Sequence, residues 1–217
     1  MPTGKGTAAR RRTQAERSTA TQHALLLAAR TTIYELGYSR TTVAEIAKRA
    51  GVSRGAQIHH YPSKQKLMLA VADFIFSEVE DEAAEIAARL GGGEGDVDGF
   101  IRDLWTRVFR PTHFNPIMEL ANAARTDPAL GALLAARWAR LMDTYNMIWS
   151  TVLRRAPRGG DEMATILTLT LSLLRGMAFQ RTIDDSPGQF YDDQLGAWAA
   201  IVKGVIEREP ALGSESI

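Results

Sequence analysis

The chain has no cysteine among its 217 residues. That excludes a disulfide framework and a thiolate metal site. No apolar run reaches the roughly 20 residues of a membrane span. The amino-terminal stretch is basic but lacks the apolar centre of a signal peptide, so the expected setting is the cytoplasm, with no membrane partner. There are four histidines, and two of them are the adjacent pair His59-His60. No His/carboxylate spacing suits a metal and no nucleophile elbow is present. Asp161 with Glu162, and Asp184 with Asp185, read as helix-start and loop charges, not as an acid/base pair. The run Gly91-Gly92-Gly93-Glu94-Gly95-Asp96 follows no strand and precedes no Gly-Lys-Ser/Thr, so it reads as an interhelical loop and not a phosphate cradle. Convincing strands and internal repeats are both missing. These absences argue against an enzyme, a cofactor or a metal, and for an all-α fold.

Charge is present in quantity but unevenly placed. Residues 1–66 carry 12 Lys/Arg and three acids, a balance of +9; the remainder carries 14 basic and 22 acidic residues, a balance of −8. A basic front and an acidic body imply that one end meets a polyanion. Residues 1–17 are rich in Gly, Thr and Arg with almost no large apolar residue, and read as a flexible basic tail. Its Arg10-Arg11-Arg12 run either reaches phosphates and an adjacent minor groove or only solubilises.

Ser18 to Leu36 reads as a helix with Leu25, Leu26, Ala29, Ile33 and Leu36 on its apolar side, ended by Gly37. Thr41–Lys66 then parses as two short helices around a tight turn. Thr42 is an N-cap, with Glu45 three residues on completing a capping box. Val43, Ile46, Ala47 and Ala50 form one apolar face. Gly51 suits a helix end that needs positive φ, and Val52 plugs the turn. Ser53 caps a second helix from Arg54 to about Tyr61. Pro62 stops it, and Ser63 caps a third helix starting at Lys64. Helix, glycine turn, helix is the spacing of a helix-turn-helix, whose second helix enters the DNA major groove.

The residues Thr41-Thr42-Val43, Ile46-Ala47, Ala50-Gly51-Val52-Ser53-Arg54-Gly55-Ala56 and His59-His60-Tyr61-Pro62-Ser63-Lys64 resemble the DNA-binding domain of the TetR/AcrR family, tetracycline-repressor-like regulators. The resemblance covers about residues 18–77. It implies an N-terminal three-helix DNA-binding domain over 18–77, followed by a larger helical effector-binding and dimerisation domain over 78–217. By position it puts Ser53, Arg54, Gly55 and Ala56 at the start of the recognition helix. Arg54 is the expected base reader, because a guanidinium can bond guanine O6 and N7 together. Gly55 permits close approach, Ala56 can touch a thymine methyl, and Ser53 is either a DNA contact or simply a cap. His59 and His60 match a backbone-contacting pair, with His60 the better phosphate donor. Ile58 stands where many relatives carry a DNA-touching Tyr, so its contact is apolar or absent; Gln57 falls at a core position. Lys64 and Lys66 can reach phosphate, and Thr42 sits where a helix N-terminus favours one.

Beyond the motif, one helix runs from Lys64 to about Leu90 and joins the two halves. Val97–Phe109 follows, then a kinked connection bracketed by Pro111 and Pro116, then a short helix from Ile117 to Arg125. Asp127 caps the next helix with Pro128 at its first position. Asp161–Ile183 is apolar nearly all round, and the last helix runs from Tyr191 to about Glu209. By resemblance these two C-terminal helices pair two copies into a homodimer. Trp105, Phe109, His113, Met118, Asn122, Trp138, Met142, Tyr145 and Met177 are the candidate lining of a pocket for a small apolar or aromatic effector, with Arg175 and Gln180 as further polar groups. The function this implies is a ligand-responsive regulator, most simply a repressor released from a palindromic double-stranded operator. An effector-independent DNA-binding regulator or activator is the alternative, and an all-α enzyme a more distant one.

Overall fold

The computed structural model describes residues 13–91, 96–152, 160–184 and 187–207. Every regular element among those residues is a helix, and there is no strand among them. Helix α1 spans Gln14–Arg40, α2 Val43–Arg49, α3 Arg54–His60 and α4 Lys64–Gly91. Helix α5, Val97–Asp103, passes into a π-helical turn at Leu104–Val108. Helices α6 (Pro111–Ala124), α7 (Pro128–Val152), α8 (Gly160–Gln180) and α9 (Gly188–Glu207) complete the body.

The helix starts are written in local chemistry. Thr13 and Glu16 form a reciprocal capping box, so α1 begins four residues before Ser18 and takes in the end of the supposed tail. Thr42 accepts a bond from the Glu45 amide at 3.2 Å, as expected. The Glu45 carboxylate does not return it: it binds Arg49 at 2.7 Å instead, so only half of that box forms. Asp127 accepts from the Ala129 and Leu130 amides at 3.1 Å and starts α7.

Two glycines end helices by adopting positive φ. At Gly37 (φ 77°) α1 breaks before its last turn. At Gly51 (φ 64°) the amides of Gly51 and Val52 bond back to Lys48 and Ala47, which is the Schellman arrangement.

The region from Pro111 to Pro116 departs from expectation. It is the first part of a continuous α6, not a kinked connection. Pro111 sits at the first helical position, where its fixed φ helps and its missing N–H costs nothing. Pro116 forfeits one helical bond and is itself buried. The Gly-rich loop at 92–95 and the Pro157-Arg158-Gly159 segment lie outside the described residues.

Two apolar cores meet along α4. Leu25, Ile33, Ile46, Leu67, Met68 and Ile75 belong to the first; Phe76, Val79, Ile86, Phe100, Ile101 and Leu104 belong to the second. The hand-over falls between Ile75 and Phe76, two residues from the boundary expected at 77/78. The division is not clean, however. Leu120 of α6 and Leu130 of α7 are buried in the first core, so the body grips the front directly. At about 1.5 Å per residue, the 28 residues of α4 span about 42 Å, enough to serve both cores.

Candidate nucleic-acid interface and sensor cavity

Helices α2 and α3 present the residues singled out for DNA. Ser53 is exposed and caps α3, accepting from the Ala56 amide at 3.2 Å. Arg54 and Gly55 are exposed on the first turn of α3, and nothing lies within 4 Å of where a Gly55 Cβ would stand. Ala56 is half-buried. His59 is exposed and His60 half-buried, their rings edge to face at 5.2 Å. Gln57 is buried and donates to the Tyr61 carbonyl at 2.6 Å, which makes it a structural clamp on the end of α3. Ile58 is 48 % exposed, an apolar side chain left on the surface of a seven-residue helix.

Pairing sorts the cations of this half. Arg30 is tied to Glu78 at 2.5 Å, and Arg49 to Glu35 at 2.5 Å and Glu45 at 2.7 Å. Lys64 donates to the Tyr38 carbonyl at 3.2 Å and lies 4.6 Å from the centre of the Tyr38 ring, so it fastens the start of α4 to the end of α1. Arg54, Lys48 and Lys66 are exposed and carry no ion pair among the described residues. Lys48 did not stand out in the sequence; its signal is its place on α2, one residue before the paired Arg49.

A cavity of about 60 Å³ lies between α4, the π turn, α6, α7 and α8. Of the residues chosen from the sequence, it brings together Phe109, Met118, Trp138, Met142, Tyr145 and Arg175. Phe76, Val79, Leu141 and Leu171 also line it; helical periodicity alone could not tell them from ordinary core. The other candidates lie elsewhere. Trp105 stacks on Tyr191 at 5.3 Å under the Arg181 guanidinium, facing α9. Met177 is buried in the core without reaching the cavity. Asn122 lines a broad surface groove between α1 and α6.

His113 sits instead in a polar knot between the two cores. It is fully buried, with Arg110 donating to its Nε2 at 2.6 Å and Glu78 3.7 Å away. Arg110 also pairs with Glu82 at 2.9 Å, and Glu78 with Arg30 of α1. Burial first, then the charges of Arg110 and Arg30, hold the imidazole pKa down to about 3, against a hydrogen bond to the Arg107 backbone that raises it. The folded protein therefore keeps His113 neutral, whereas the unfolded chain protonates it near pH 6.5. Stability from this site is complete above pH 6.5 and falls as pH is lowered from there toward 3. Between pH 7 and 5 the loss should be about 2 kcal/mol in urea unfolding, and His113→Gln should remove that part of the pH dependence. A variant as pH-sensitive as the parent would contradict the assignment.

Further contacts join the body to the front. Glu119 of α6 accepts from the Tyr38 amide at 2.7 Å, directly after the Gly37 break. Gln65 at the start of α4 donates to Asp127 at 3.1 Å. Among the described residues, no helix is long and apolar enough to cross a membrane.

Comparison with known proteins agrees with this geometry. Residues 25–71 match the family model of bacterial regulatory proteins, tetR family. The chain is 34% identical over 169 residues to the HTH-type transcriptional regulator CymR of Pseudomonas putida, covering 78% of this chain and 83% of that one. Its fold is similar to that of a transcriptional regulator from Rhodococcus sp. Rha1, with a TM-score of 0.69 at 21% identity over 87% of this chain and 99% of the other. It is also similar to the multidrug binding protein EbrR, solved with imidazole, with a TM-score of 0.57 at 19% identity over 88% and 97% of the two chains. A helix-turn-helix with unpaired cations around its second helix, set on an all-helical body and matched over most of its length by such a relative, leads to one conclusion: the chain belongs to the TetR family of DNA-binding transcriptional regulators.

Proposed function

We propose that this protein is a homodimeric repressor that acts in the cytoplasm and leaves a palindromic operator when a small apolar or aromatic effector enters the cavity beside Tyr145. The observation that carries the reading is that the cavity's walls also hold the DNA-binding unit. Helix α6 lends Phe114, Ile117 and Met118 to the cavity and Leu120 to the front core. Helix α4 lends Phe76 and Val79 to the cavity and begins at the DNA-binding unit. A molecule that parts these helices shifts α1 through Glu119 and α3 through the start of α4.

The cavity is small for this task. Ligand pockets typically measure about 300–1,000 Å³, against about 60 Å³ here. On this reading an effector must select a more open form of the cavity. That requirement supplies the differential affinity without which a ligand shifts nothing. The same small volume favours the alternative, a regulator that answers to no effector, should the cavity be mere packing.

DNA recognition assigns base contacts to Arg54, Gly55 and Ala56, with Ile58 beside them against thymine methyl groups. Thr42, Lys48, His59, His60 and Lys66 meet phosphates. Lys64, whose ammonium is shared with Tyr38, acts mainly by holding α4 in place.

Retaining fragments of the source genome on the protein, then challenging them with compounds that raise its melting temperature, tests the reading. It expects a few palindromic fragments, released by at least one stabilising compound. Fragments that stay bound whatever compound is added would select the effector-independent regulator.

A further inference from the structure

The cavity is apolar except at two places. The first is Tyr145, only 1 % exposed, whose hydroxyl finds no hydrogen-bond partner among the described residues. The second is Arg175. Its guanidinium lies 4.6 Å from the centre of the Trp138 ring, and it makes no hydrogen bond or ion pair among the described residues. Other partly buried arginines here are provided for: Arg30 by Glu78, Arg110 by Glu82, and Arg137 by Asp73 and Glu80. Arg175 of α8 and Tyr145 of α7 line the same cavity, so one bound group can meet both the cation and the hydroxyl. Trp138 and Met118 are partly exposed and lie at its mouth.

A buried hydroxyl without a partner and a half-buried cation without an anion are both costly to leave so. One ligand group satisfies both: an anionic oxygen pair. Taking the cavity as the effector site, we propose that the effector is an anion, a small apolar or aromatic molecule bearing one carboxylate that pairs with Arg175 and accepts a hydrogen bond from Tyr145. A carboxylate matches the planar guanidinium with two parallel bonds and leaves one lone pair for the phenol. A phosphate would bring more charge and a third oxygen than these two donors meet. The apolar body lies among Phe76, Val79, Phe114, Leu141 and Leu171, and unbranched Met118 and Met142 are the walls that yield as it enters. The group opposing an anion is Glu82, which acts on Tyr145 and whose Oε2 is likewise without a hydrogen-bond partner. Its charge is already balanced by Arg110 at 2.9 Å.

The test is calorimetric titration of the full-length protein with benzoate, 4-ethylbenzoate and 2-naphthoate, each beside its neutral carboxamide. At least one acid should bind about tenfold or more tighter than its amide. Arg175→Gln should bring that acid down to the level of its amide while leaving the amide within about threefold of its parent affinity. Tyr145→Phe removes only the unpartnered hydroxyl, so it should fold and melt like the parent and lose part of the same preference. Amides binding as tightly as acids, or a preference that survives Arg175→Gln, would overturn the anion assignment and leave the cavity as a neutral effector's site. Failure of both series to bind at millimolar concentration would overturn the cavity reading as well.

Discussion

Arg54→Ala should abolish operator discrimination while leaving the fold intact. The side chain is exposed and unpaired among the described residues, so its removal opens no cavity and strands no partner. A bidentate contact to guanine is worth about 1–3 kcal/mol. A dimer uses it twice, so the expected loss is about 2–6 kcal/mol, or about 30-fold to beyond 10⁴-fold in affinity for the specific site. The binding that remains should be the salt-sensitive, sequence-independent kind. Lys66→Ala provides the contrast: it should weaken all sequences alike and reduce the salt slope by about one. Mobility shifts on matched and mismatched operators separate the two outcomes. Unchanged discrimination in Arg54→Ala would remove it from the base-reading role.

The second large effect is expected on the outer faces of α8 and α9. Helix α8 exposes Thr165, Leu169, Ser172, Gly176 and Phe179 at alternating steps of four and three, which is a single helical stripe. Leu169 and Phe179 are about half exposed, as is Ile201 of α9. Gly176, Gly196 and Gly204 have nothing within 4 Å of an added Cβ, leaving room for another backbone to approach. The inner sides of the two helices are already locked together, with Trp198 donating to the buried Thr170 hydroxyl at 3.0 Å. Their outer sides are the surface on which a second copy completes the proposed dimer. Leu169→Lys combined with Ile201→Lys places charge there without touching the inner packing. Sedimentation should show a monomer of unchanged helix content, and operator affinity should fall by about 10²–10⁴, the advantage that linking two half-site binders confers. A double variant that still sediments as a dimer would move the interface elsewhere.

How far these features could be read in advance follows from the range of the interaction behind each. Thr42, Ser53, Ser63 and Asp127 accept from amides within three residues and Gly51 supplies the positive φ of a helix end, so these ends of α2, α3, α4 and α7 stand in the sequence itself. Glu45 shows the limit of that locality: an arginine one helical turn on competes for the same carboxylate and wins. Proline misleads between 111 and 116, because two prolines suggest a break where one sits harmlessly at a helix start and the other is absorbed. The cavity was legible only as a composition. Tyr145 and Trp138 of α7 reach it, whereas Trp105 of the π-helical turn packs on Tyr191 of α9. Lys64 reads as a free cation until the tertiary fold brings the Tyr38 carbonyl, 26 residues away, within 3.2 Å. His113 looked like a ligand group; folding surrounds it with two arginines and two carboxylates and makes it part of the joint between the halves.

In the proposed dimer, two copies of α3 carried by one body read a two-fold symmetric site. A footprint on a retained genomic fragment tests it most directly, taken with and without a compound that stabilises the protein. The expected footprint has two related half-sites whose centres lie about one DNA turn, roughly 34–36 Å, or a multiple of it apart, with protection lost when the compound is added. Protection of a single asymmetric stretch, with the compound making no difference, would contradict it.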